Sequence, residues 1–162
     1  DVCTAWIALT PSTRANGCMR VASGSHSEQL THTDTFHKDN LLSRGQEINA
    51  EVDEKDAVDL ELLPGQMSLH HVNIVHGSRA NASDKKRVGF VVRYITPEVK
   101  PGGAQAPVIL ARGEDRNRHF EHKRRPSDIV DLDRAMESHL RTAREFLSSI
   151  RQTKGAYQND AE

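Results

Sequence analysis

A chain of 162 residues with a formal net charge of −1 has the size of one domain, with room for a single core. Its 22 basic and 23 acidic residues are mixed along the chain, which argues against capture by nucleic acid or an anionic membrane and favours a small neutral or acidic partner. No apolar run approaches the roughly 18 residues of a membrane span, no charged-then-apolar leader opens the chain, and Cys3 and Cys18 fit neither a disulfide framework nor a zinc ribbon, so buried, reduced thiols and a cytoplasmic setting are expected.

Val2 to Leu9, VCTAWIAL, is an apolar run of strand formers that stops at Thr10-Pro11, where a ladder would lose its donor. Core strand begins almost at Asp1, so the expectation is a chain that starts in mid-fold. Asn16-Gly17 is a short hairpin signal ahead of Cys18 to Ala22, which predicts a hairpin over residues 2 to 22. From Ser23 to Asn40 the chain is polar, with Gly24, His26, His32 and His37 and no apolar period; it reads as a long loop of the kind that often serves function. Gln46 to Val52 and Ala57 to Leu63 alternate as strands do, the second ending at Pro64-Gly65. Met67 to His76 and Val88 to Ile95 are two strong strands, expected to pair as a hairpin across their polar loop.

After Pro97 the composition turns to Pro, Gly and charge, which predicts an extended arm. Leu132, Ala135, Met136, Leu140, Ala143, Phe146, Leu147 and Ile150 follow helical spacing, so Asp131 to Ile150 reads as an amphipathic helix ended by Gly155. Such a helix packs on the sheet or on a second subunit, which leaves a homodimer open. Short strands with turn punctuation and then one helix argue for an antiparallel barrel or sandwich of the jelly-roll kind. The expected division is a β core over residues 1–97, with arm and helix over residues 98–162 packing on the same domain.

Candidate ligands concentrate at His70, His71 and His76, followed by Gly77, Ser78, Asn81, Ser83 and Arg87. Strand alternation puts His70 and His76 on one face and His71 on the other. Arg87 lies eleven residues after His76, so a hairpin would bring its guanidinium beside that imidazole, setting a metal ligand next to a fork that pairs carboxylates bidentately. Non-haem iron oxygenases need two histidines and a carboxylate on one side of the metal and open positions on the other. A structural histidine and a surface arginine are the plainer reading of the same residues.

The stretch TAWIALTPSTRANGCMRVASGSH, residues 4–26, together with PGQMSLHHVNIVHGSRANASDKKRVGFVVRY, residues 64–94, resembles the two signature segments of the phytanoyl-CoA dioxygenase family, in the same order. The resemblance implies a double-stranded β-helix, Fe(II) and 2-oxoglutarate as cofactors, and hydroxylation of a small organic or acyl substrate. On the matching positions, His76 looks like the distal iron ligand, Arg87 like the partner of the outer carboxylate of 2-oxoglutarate, and Ser78 like its support. Trp6 resembles a tryptophan lining the co-substrate pocket, although an ordinary core tryptophan fits too. His26 either faces the site or holds its loop.

The family's proximal His-x-Asp precedes the TAWIAL strand, so the expectation is a chain cut before it and inactive by itself. His32-Thr33-Asp34 has the same pattern, but it follows that strand and sits in polar sequence, where a surface loop or substrate lid is the better reading. The alternative from another class is a non-catalytic β-barrel binding module with an incomplete metal site.

Overall fold

A computed structural model describes residues 2–36, 45–49, 51–101, 107–123 and 131–159. In chain order these hold strands β1 (Val2–Ala8), β2 (Met19–Ala22), β3 (His32–Asp34), β4 (Gln46–Ile48), β5 (Ala57–Asp59), β6 (Met67–His71), β7 (His76–Ser78), β8 (Gly89–Ile95), β9 (Pro107–Val108) and β10 (Glu121–His122), then helix α1 (Leu132–Asn159). No helix among the described residues is long and apolar enough to cross a membrane. The chain falls into two compact units, Asp1–Leu30 with Ala50–Lys123, and Thr31–Asn49 with Arg124–Glu162.

In the first unit β1 is the middle strand of an antiparallel sheet, with β6 and β8 on its two edges. A central strand is shielded by both neighbours, and Thr4, Ala5, Trp6 and Ala8 are accordingly buried. A second antiparallel sheet has β2 between β5 and β7. From β1 the chain passes to the second sheet for β2 and β5, then back and forth for β6, β7 and β8. This alternation is a jelly-roll, the double-stranded β-helix expected from the sequence, although the sheets do not close into a barrel among the described residues. Trp6, Ala8 and Met19 form the centre of the core, with Leu60 and Leu62 packed against them.

Two expected hairpins are corrected by this topology. Residues 2–22 do not fold back on themselves, because Asn16 organises a broad loop instead of a two-residue turn: its Oδ1 accepts the Thr13 N–H at 2.8 Å and its Nδ2 donates to the Pro11 carbonyl at 2.8 Å. That loop carries the chain from one sheet to the other. Gly17 is required within it, since its φ is +74° and a Cβ there would lie 2.5 Å from the Arg79 carbonyl oxygen. Met67 to His76 is likewise not one strand. After His71 the chain turns, with the Ile74 N–H donating to the His71 carbonyl at 3.1 Å and the Asn73 N–H to His71 Nδ1 at 3.2 Å. The break puts β6 and β7 in different sheets, and β1 lies between β6 and β8 where a direct pair was expected.

Ordered strand is shorter than the alternation suggested at two places. Among the described residues Gln46 to Val52 holds β4, and Ala57 to Leu63 holds β5 plus an isolated bridge from Leu62 to Ser12. The second sheet is tied by Asp59, whose carboxylate meets Arg14 and Arg20 at 2.8 Å each. In the arm, β9 and β10 pair in parallel.

In the second unit β3 and β4 form an antiparallel pair, so the long polar loop contains a strand; His37 and residues 38–40 lie outside the described residues. Helix α1 is capped by Asp131, whose carboxylate accepts the Arg134 N–H at 3.1 Å. It continues through Gly155 to Asn159, past the expected end, since one glycine costs a helix only about 1 kcal/mol. Leu132, Met136, Leu140 and Leu147 remain 46 to 75 % exposed along it.

Candidate functional site

Alternate residues of β1 line the gap between the sheets. Trp6 and Ala8 on this side pack with Met19 of the opposite sheet. Thr4, on the same side, is flanked by His70 of β6 and Arg93 of β8; Trp6 is flanked by Ser68 and Val91. Across the gap β7 contributes His76 and Ser78, two residues apart and therefore on one face.

The sequence-predicted residues come together here. The Arg87 guanidinium carbon lies 5.5 Å from the centroid of the Trp6 ring, within cation–π range. Arg87 Nη2 donates to Ser78 Oγ at 3.4 Å. The His76 ring lies 5.9 Å from that of His70, tilted by 46°. His76 Nδ1 is 2.8 Å from the Ile74 carbonyl oxygen. A carbonyl only accepts, so Nδ1 carries the proton and the Nε2 lone pair is left for a metal. His76 and Ser78 are exposed, Arg87 half-buried and Trp6 buried.

Local structure explains the placement. The Thr10 hydroxyl donates to the Lys86 carbonyl at 3.1 Å and accepts the Val88 N–H at 2.8 Å, gripping the backbone on both sides of Arg87. The Val88 carbonyl accepts from the Leu9 N–H at 2.9 Å. Gly89 leaves the space in which the Trp6 indole sits, and a Cβ there would overlap that ring. The start of β7 is fixed by Ser25, whose hydroxyl donates to the Ala22 carbonyl and accepts the Val75 N–H, both at 2.8 Å.

His26, next in that segment, lies 5.7 Å from the ring of His71. His71 follows His70 in the strand and so projects to the other side, which makes Gly24-Ser25-His26 the clasp of its own loop. His70 is half-buried, with Ser68 Oγ 3.4 Å from Nδ1. Burial first, then the charges of His76 and Arg93, push its pKa down from the ordinary histidine value.

His32 and Asp34 share a face of β3, which corrects the expectation that no strand fixes them. Among the described residues no three His, Cys, Asp or Glu side chains gather as a metal-holding group. The chemistry of the donor set thus fits a carboxylate at Arg87 and Ser78, and supplies a metal with one histidine. An open recess of about 570 Å³ in the arm, lined by Asp115, His122 and Phe120 among others, includes none of these residues.

Thr10, Ser25 and Gly89 were not singled out from the sequence. Only Ser25 carried a signal, as part of the Gly-Ser-His resemblance.

The fold is that of non-haem oxygenase structures. The apo form of the non-haem monooxygenase ThoJ superposes with a TM-score of 0.74 and 37% identity over 96% of this chain and 55% of its own. Its nickel complex gives a TM-score of 0.68 and 32% identity over 94% of this chain and 52% of its own. The family model described as phytanoyl-CoA dioxygenase (PhyH) matches residues 1–89, and the chain belongs to that family. Phytanoyl-CoA dioxygenase of Arabidopsis thaliana is 32% identical over 90 residues, which are 56% of this chain and 31% of that protein. A probable phytanoyl-CoA dioxygenase of Caenorhabditis elegans is 26% identical over 99 residues, 60% of this chain and 32% of the relative. The chain thus spans about a third of the length of these curated relatives.

Proposed function

We propose that the complete protein is an Fe(II)- and 2-oxoglutarate-dependent dioxygenase that hydroxylates a small organic or acyl substrate. The observation that carries this reading is the spacing of His76 from the Ser78–Arg87 pair. Two residues of strand span about 6.6 Å, the scale of a five-carbon keto diacid held by a metal at one end and by a cation at the other. Arg87, lying against Trp6, takes the outer carboxylate with its planar fork. Ser78 offers the same oxygen a hydroxyl, and the indole closes one wall.

His76, with its proton committed to the Ile74 carbonyl, gives Nε2 to the metal. Fe(II), when bound, supplies oxygen activation coupled to decarboxylation of the keto acid. The remaining protein ligands are then a His-x-Asp pair ahead of β1, in a longer polypeptide, and not His32 and Asp34. The 162 residues alone are then expected to release little or no succinate. Cys3 and Cys18 are both free, and burial raises the pKa of the Cys18 thiol, which suits the reducing, cytoplasmic setting we assign.

The test is anaerobic titration of the complete protein with Fe(II) and 2-oxoglutarate. A weak visible charge-transfer band is expected, and His76→Ala should abolish it. A band that survives this substitution would remove His76 from the metal; 2-oxoglutarate binding that needs no metal would favour a non-catalytic binding module.

A further inference from the structure

The face of β1 that carries Trp6 extends past the co-substrate residues. Beyond the row Ser68–Trp6–Val91 lies the row His70–Thr4–Arg93, and beyond that Val2 stands beside Ile95. Arg93 is exposed on β8, an edge strand of its sheet, and its charge reaches His70, whose pKa it helps to lower. Among the described residues no carboxylate pairs with its guanidinium, and neither Thr4 nor His70 brings a negative charge to its row. Its neighbours along β8 on this face are Val91 and Ile95, both exposed. A permanent cation framed by hydrocarbon suits a molecule with an oxyanion at one point and an apolar body beside it.

We propose that Arg93 selects the substrate of this site by pairing with an oxyanion on it, a carboxylate or a phosphate, whose apolar body lies along Val91 and Ile95. This rests on the reading of the gap between the sheets as an oxygenase site with 2-oxoglutarate at Arg87. The keto acid is not itself the molecule that Arg93 holds. Arg87 lies against Trp6 and Ser78, and Arg93 is six residues further on, about 20 Å of extended strand. The co-substrate is thus gripped at one end of the face, and the second cation is left for a second molecule at the other. Its row borders the candidate site, because His70 in that row has its ring 5.9 Å from that of His76. An anchor there fixes which part of a bound substrate points toward the site, as a planar fork does for an oxyanion better than a point charge.

The test is calorimetric titration of octanoate, octyl phosphate and octan-1-ol into the complete protein loaded anaerobically with Fe(II), with and without saturating 2-oxoglutarate. The wild type should bind at least one anion about tenfold more tightly than octan-1-ol, the worth of a hydrogen bond to a charged group. The stronger of the two anions tells carboxylate from phosphate. Arg93→Leu should lower affinity for that anion about tenfold, with octan-1-ol unchanged and 2-oxoglutarate held as before by Arg87. Arg93→Lys keeps the charge and should recover part of the anion affinity, which a packing role alone would not produce. Unchanged anion affinity in Arg93→Leu would overturn the proposal, as would a wild type that binds octan-1-ol as tightly as the anions or binds none of the three. Displacement of the anion by 2-oxoglutarate would also overturn it, because the anion would then occupy the Arg87 clamp. A wild type that fails to bind 2-oxoglutarate would sink the reading of Arg87 instead, and the titrations without 2-oxoglutarate still decide Arg93.

Discussion

At the scale of single residues the proposed site turns on Arg87, whose half-buried guanidinium lies against Trp6 and donates to Ser78. Arg87→Ala leaves the outer carboxylate of 2-oxoglutarate without its charge partner, and the expected loss is about 2 to 5 kcal/mol of binding if the pair is desolvated. Isothermal titration of 2-oxoglutarate into the metal-loaded complete protein measures it. Arg87→Lys should recover only part, since an ammonium lacks the fork and does not lie flat on the indole. Unchanged affinity in Arg87→Ala would reject the assignment. Residue types and the eleven-residue spacing made His76 and Arg87 legible in the sequence, and the resemblance added Trp6 and Ser78. Gly89 and Thr10 were not legible, because their work depends on strand pairing: Gly89 matters only once β8 lies beside β1 under the indole, and Thr10 grips residues 76 and 78 positions away.

Among the elements, the informative feature is the break between β6 and β7. Met67 to His76 holds no Gly or Pro, so its pattern describes one strand, with Asn73 the single turn-prone residue after Ser68. The turn is made by hydrogen bonds of His71, one of them from the Asn73 N–H. Changing sheets lets His70 and His76 meet across the gap. The Thr10 grip on the start of β8 is the second such device. Thr10→Val removes the hydroxyl while keeping the shape, leaves the Val88 N–H and Lys86 carbonyl to water, and should cost about 0.5–1.5 kcal/mol in chemical denaturation. It should also weaken 2-oxoglutarate binding through Arg87. Full stability with full affinity would show that β8 places Arg87 unaided.

The arm carries a pH-dependent element. The Asp115 carboxylate accepts from His122 Nε2 at 2.7 Å, and from the backbone N–H groups of Arg118 and Asn117 at 3.0 and 2.9 Å. These bonds, the one from His122 foremost, hold its pKa below the ordinary aspartate value. A carboxylate whose pKa falls on folding contributes stability that is complete above its unfolded pKa of about 3.9 and is lost as pH falls through the lower folded value. The Arg118 and Asn117 amide resonances should therefore hold steady down to about pH 4 and move only below it. A transition centred above that pH would contradict the arrangement.

For the whole molecule, the class of fold was legible and its wiring was not. Alternating short strands and a late amphipathic helix describe a mainly β jelly-roll, but which strand neighbours which is decided by pairings between distant segments, as when β1 separates β6 from β8. That wiring sets the site, because it faces the even positions of β1 toward β7 and gathers a histidine, a serine, an arginine and a tryptophan from three separate stretches of chain. The central claim is that His76 and Arg87 hold opposite ends of one keto diacid. A crystal structure of the complete protein, grown anaerobically with Fe(II) and 2-oxoglutarate, tests it most directly. Density should show the metal on His76 Nε2 and the outer carboxylate of the keto acid on the Arg87 guanidinium; a metal bound without His76, or a diacid seated away from Arg87, would contradict it.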